Sequence, residues 1–108
     1  MRGHDWFPGE DYLAGVPGLY ATDGVPLNDK TVWLHYFVGA CDWWVFELGE
    51  DRRLAFGYVN LGDPACAEMG YVDLHELRDL EVRHPAGFTL VVERDLHWSP
   101  VPFAAVQR

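Results

Sequence analysis

The spacing of apolar residues changes character along the chain. Residues 1–29 hold no sustained period: Gly, Pro, Asp and Asn recur every few positions in "FPGEDY" and "GVPGLYATDGVPLND", which breaks regular structure. A long irregular N-terminal arm is expected here, with Tyr12, Leu13, Leu19 and Tyr20 as its anchors on the core. From Lys30 the pattern becomes β-branched and aromatic. "KTVWLHYFV" (30–38), "DWWVFEL" (42–48) and "LAFGYVNL" (54–61) each read as a strand. The links "GACD" and "GEDRR" are too short for parallel crossovers, so these three strands form an antiparallel meander.

Residues 69–74 add a short strand. Asp73 with Glu76 three positions later has the form of a helix capping box, and Leu74, Leu77 and Leu80 mark one apolar stripe on "LHELRDL". That helix has two turns at most and must lean on the sheet. "RHPAG" ends it, and residues 89–98 form the last strand, which Pro100 and Pro102 keep from continuing. The expected fold is α+β: an antiparallel four- to five-stranded meander sheet, one short helix and the irregular N-terminal arm. Period two puts Trp43 and Val45 on one face of the second strand and Trp44, Phe46 and Leu48 on the other. Both faces are apolar, yet one short helix covers only one of them. The arm is expected to cover part of the second face, leaving an aromatic patch at Trp33, Trp43 and Tyr58 as a binding surface.

Composition narrows the function classes. The chain has 108 residues, enough for one domain with one core. Its 17 acidic residues outnumber 8 Lys and Arg, giving a net charge of −9. Such a balance argues against direct nucleic-acid binding, whose affinity comes from cations on phosphates, and against docking on anionic membranes. It suits a basic protein partner. No run approaches the length of a membrane span, and the start lacks a secretory apolar region, so a cytoplasmic protein is expected. Cys41 and Cys66 form no CxxC pair, which argues against the usual four-ligand zinc site. Whether they pair with one another stays open, as does homodimer formation. No cofactor motif is present: no GxSxG elbow, phosphate loop or HExxH.

Several stretches together resemble one family. "DWWVFEL", "LAFGYVNLG", "AEMGYVDLHEL" and "VERDLHW", preceded by "LYATDG" and "VPLNDKTV", are similar to the DUF2958 family of small bacterial and phage proteins. The likeness covers roughly residues 18–100, which divides the chain into an extension over 1–17 and a domain over 18–108. What the resemblance implies is a mobile-element setting, and it brings no catalytic residues.

The densest chemistry lies in "VVERDLHWSP" (91–100). Strand periodicity splits it: Leu90, Val92, Arg94, Leu96 and Trp98 point to the core, while Glu93, Asp95 and His97 point to water. Three successive same-face residues span too far to converge on one ion, so no metal site is expected there. Arg94 among apolar neighbours demands an acceptor, and Glu47, Glu68, Asp73 and Glu76 are the candidate partners. His35 shares its strand face with Trp33 and Phe37, which suits a hydrogen-bonded core or rim histidine. No catalytic residue is assigned. The leading expectation is a small, acidic, non-enzymatic accessory factor that binds a protein partner. One form would inhibit a nucleic-acid-binding defence complex of a host by imitating phosphate charge. The alternative is an enzyme or ligand-binding protein with a pocket at Arg94 and its carboxylates.

Overall fold

The structure is a computed structural model that describes residues 5–106. It is α+β, built on a five-stranded antiparallel sheet. In chain order the elements are helix α1 (Glu10–Leu13), strands β1 (Thr31–Val32), β2 (Leu34–Val38), β3 (Cys41–Leu48), β4 (Leu54–Leu61) and β5 (Glu68–Asp73), helix α2 (Leu74–Asp79), and strands β6 (Glu81–Arg83), β7 (Thr89–Val91), β8 (Glu93–Arg94) and β9 (Val101–Pro102). The main sheet runs β5-β4-β3-β2-β8, so β2 to β5 form the expected meander. β1 pairs with β9, and β6 with β7, as separate two-stranded ladders. Among the described residues no helix is long and apolar enough to cross a membrane.

The β2–β3 link is a tight turn in which Gly39 takes a φ of 54°, a conformation that costs glycine little. β3 carries a bulge: Val45 pairs with Gly57, but the next pair is Glu47 with Phe56, leaving Phe46 extra. An inserted residue reverses the alternation beyond it. Leu48 therefore joins Val45 and Trp43 on one face, opposite to its expected side, while Phe46 packs with Trp44 on the other.

Each face has its own cover. On the first, Leu34, Tyr36, Val38, Trp43, Val45, Leu48 and Ala55 meet Trp6, Leu13 and Val16 of the arm, Leu74 and Leu77 of α2, and Val92. On the second, Trp44 and Phe46 pack with Val32 and Phe103, flanked by Leu27, Phe56, Tyr58, Trp98 and Val106. Residues 6–16, outside the family-like region, thus contribute to the main core. Met1 to His4 of the expected extension lie outside the described residues. The second face is closed mainly by the C-terminal segment rather than by the arm, because the turn at 95–98 carries the chain across it.

Two expected elements are divided. Trp33 interrupts 30–38, its N–H donating to the Val45 carbonyl, so β1 turns away to pair with β9. The expected strand over 89–98 breaks at buried Val92: β7 pairs with β6, and β8 pairs with β2 through Tyr36–Arg94 and Phe37–Glu93. Asp95 ends β8, its carboxylate accepting from the His97 N–H at 3.0 Å. Period two stops there, so Leu96 is exposed instead of buried, and Trp98 swings to the other face, donating Nε1–H to the Val32 carbonyl at 3.0 Å.

The short helix forms as its sequence dictates. The Asp73 carboxylate accepts from the N–H groups of His75 and Glu76, at 2.9 and 3.1 Å. Leu74 and Leu77 are buried, but the helix ends at Asp79, which leaves Leu80 exposed at its C-cap.

Candidate functional site

The cluster of most chemical interest is built on β2 and was not singled out as a unit in the sequence. His35 projects from β2 onto the second face, opposite Trp44 of β3. Its Nε2 lies 2.8 Å from Asp42 Oδ1 and its Nδ1 lies 3.1 Å from Asp95 Oδ2. A carboxylate only accepts, so both contacts are made when both ring nitrogens carry a proton. The ring stacks on Trp44, with centroids 5.5 Å apart and planes within 7°, and Trp98 stands 5.1 Å away. The Asp95 N–H donates to the His35 carbonyl at 2.8 Å, tying the loop after β8 to β2 by backbone as well as side chain.

These groups line an open cleft of about 420 Å³, together with His97, Ser99 and Val106. Its lining combines the rings of Trp44 and Trp98 with two half-buried carboxylates. Among the described residues no hydrogen bond joins Ser99 to His35, whose two nitrogens already face carboxylates, so the geometry is not a nucleophile–base pair. Nor do three His, Cys, Asp or Glu side chains of the described residues group as metal ligands. The arrangement can hold a cation: aromatic faces attract it and carboxylates neutralise it.

The residues singled out by sequence lie elsewhere and apart. Trp43 and Tyr58 occupy opposite faces, since Trp43 pairs with Val59 and Tyr58 with Trp44. Trp43 is buried in the first core, half-buried Trp33 packs edge-on against Tyr12, and Tyr58 lies against Phe103 with ring centroids 4.7 Å apart. The three are not brought into one patch. Arg94 donates from Nε to the Asp5 carbonyl at 2.7 Å, so its acceptor is backbone of the arm. Glu47 is 1% exposed and meets a different set of donors: the N–H groups of Tyr20 and Thr22, at 2.8 and 2.9 Å, and the Thr22 hydroxyl. Buried Lys30 closes this network, donating from Nζ to the same hydroxyl at 2.9 Å. Asp73 caps α2 and pairs with Arg53 Nε at 2.6 Å. Glu68 and Glu76 are exposed, on β5 and α2. Among the described residues none of these carboxylates stands at ion-pair distance from Arg94.

Cys41 and Cys66 are both free. Partial burial, then the neighbouring Asp42 charge, push the Cys41 thiol up, away from the thiolate a nucleophile needs.

The sequence signal for the cleft was faint. His35 and Asp42 are separated by one hairpin turn, so their pairing follows from hairpin register. Asp95 is 60 positions from His35, and only the β2–β8 ladder brings the two together.

The fold and the cleft together define a small antiparallel α+β domain with a cleft lined by carboxylates and aromatic rings. Residues 20–104 match the family described as Protein of unknown function (DUF2958), and the chain belongs to that family. No curated protein and no solved structure matches it.

Proposed function

We propose that this protein is a small, non-enzymatic binding protein that takes a cationic side chain of a protein partner into the His35 cleft. The observation that carries this reading is the placement of Asp42 and Asp95 on either side of one imidazole, above Trp44 and beside Trp98. With a proton on each ring nitrogen, His35 fixes both carboxylates, so they are oriented before a partner arrives, and preorganisation lowers the cost of binding. The net charge of −9 favours a basic partner and steers its approach. The reading places the protein in the cytoplasm, where two free thiols persist.

The finer form is an accessory factor of a phage or mobile element that engages host machinery, its carboxylates imitating phosphates toward a nucleic-acid-binding complex. The alternative of a ligand pocket at Arg94 draws no support from side chains spread over β3, β5, α2 and β8.

The test compares capture of partners from lysate by the wild type and by an Asp42→Asn, Asp95→Asn double variant. A partner held at low salt, released at high salt and bound about tenfold more weakly by the double variant is expected. Equal retention by both proteins would sink the cleft reading. Competition by duplex DNA is expected in the phosphate-imitating form alone.

A further inference from the structure

At the opposite end of the sheet from the cleft, β5 pairs with β4 and, among the described residues, with no strand on its other side. An edge strand directs alternate N–H and C=O groups outward, where any extended segment laid alongside can pair with them. Natural edges are commonly blunted by Lys, Pro or a bulge. β5 has none of these. Its sequence is EMGYVD, and its register with β4 runs from Val59–Glu68 to Leu54–Asp73 without a shift. Two of its large side chains, Met69 and Tyr71, are 43% and 50% exposed.

Beside this edge lies a cavity of about 270 Å³, with Val59, Leu61, Met69 and Gly70 in its lining. A Cβ built at Gly70 would meet nothing within 4 Å, so the middle of the strand is open where a neighbouring side chain would enter. The charged residues of the lining are Asp63 and Glu68, and no cation joins them. Arg53 at the far end is engaged by Asp73.

The charges choose between occupants. A second copy paired antiparallel in the fully overlapped register would set Glu68 against Asp73 twice, and like charges directly opposite one another destabilise a ladder. A strand carrying Lys or Arg meets the same carboxylates favourably.

We propose that β5 is a strand-addition site for an extended segment of a protein partner that bears Lys or Arg, with one apolar side chain of that segment filling the cavity beside Gly70. The site is independent of the His35 cleft. Backbone pairing supplies affinity along the six-residue edge, and the cavity and carboxylates supply selectivity.

The test uses fluorescently labelled peptides of about ten residues, enough to cross β5, alternating Lys with Val or Leu, beside a matched set carrying Glu in place of Lys. Anisotropy is expected to show the Lys set binding and the Glu set at least about tenfold weaker. Gly70→Val fills the cavity and Glu68→Lys reverses the charge, so each weakens the Lys peptides about tenfold or more. Because a Cβ at position 70 meets open space, the thermal midpoint of Gly70→Val stays near that of the wild type. Amide hydrogen exchange slows at β5 when the Lys peptides are added. Failure of both sets to bind, equal binding of the two, or protection confined to another strand overturns the proposal. A dimer in sedimentation that protects β5 without peptide overturns it in favour of a second copy.

Discussion

At Gly57 the lack of a side chain lets β3 and β4 approach beside the bulge. A Cβ there would lie 2.0 Å from the Trp44 carbonyl oxygen and 3.1 Å from the Val45 Cα, both backbone atoms with little room to yield. Gly57→Ala is therefore expected to lose about 2–3 kcal/mol, as overpacked sites do, read as a lower urea midpoint with unchanged slope; wild-type stability would show that the bulge relaxes freely. Nothing in "LAFGYVNL" marks this glycine as different from others, because the clash depends on a neighbouring strand. Glu47 teaches the same point. Alternation along β3 was legible, and the carboxylate was named as a candidate, but its donors come from an arm with no period to read. Arg94 was legible as a cation needing an acceptor. The acceptor is the Asp5 carbonyl, and every residue offers a carbonyl, so no pattern of side chains could identify it.

Helix α2 is six residues long, too short to persist alone, and its cap is its local support. The Arg53 guanidinium, with help from the Glu76 and His75 N–H groups, holds the Asp73 carboxyl below the usual carboxylate range. The sign follows from proton counts. In acid the unfolded chain takes up this proton first, so the contribution is whole above the ordinary carboxylate pKa and is lost as pH falls through the lowered folded value. Asp73→Asn, which keeps a capping oxygen but loses the charge, is expected to show a shallower fall in thermal midpoint between about pH 5 and about pH 2. A fall as steep as that of the wild type would remove Asp73 from the acid transition. At this scale the meander, the Asp73 cap and the burial of Leu74 and Leu77 follow from local pattern. Local pattern does not show where a partner ends an element. The run over 89–98 divides because Val92 sits between two ladders and Asp95 bonds to His35 and to its own loop. The β6–β7 hairpin shows only in its pairing: β7 opens the expected last strand, but no strand was expected over β6.

Across the whole molecule, one sheet separates two cores, each closed by a different region of the chain. Phe103 is the keystone of the second, 1% exposed and packed against Trp44, Phe46 and Tyr58. Phe103→Ala is expected to cost about 3–5 kcal/mol, a large share of the stability of a small domain. Thermal unfolding and a red shift of tryptophan emission check this; a loss under about 1 kcal/mol would mean the C-terminal segment is not the real cover. Two apolar faces on β3 already required two covers, since neither can stay in water. Which segment covers which face was not encoded locally: it depends on the turn at 95–98 and on Trp98 reaching the Val32 carbonyl. The sequence by itself determined the α+β class, the meander, the helix cap and the acidic surface, because each rests on neighbours a few positions apart. The tertiary structure alone decided the Asp42–His35–Asp95 cleft, the Glu47–Thr22–Lys30 network and the open edge of β5. Asp95 and Glu47 reach partners far away in the chain and the edge depends on which strands pair, so long-range pairing, not local periodicity, selects all three.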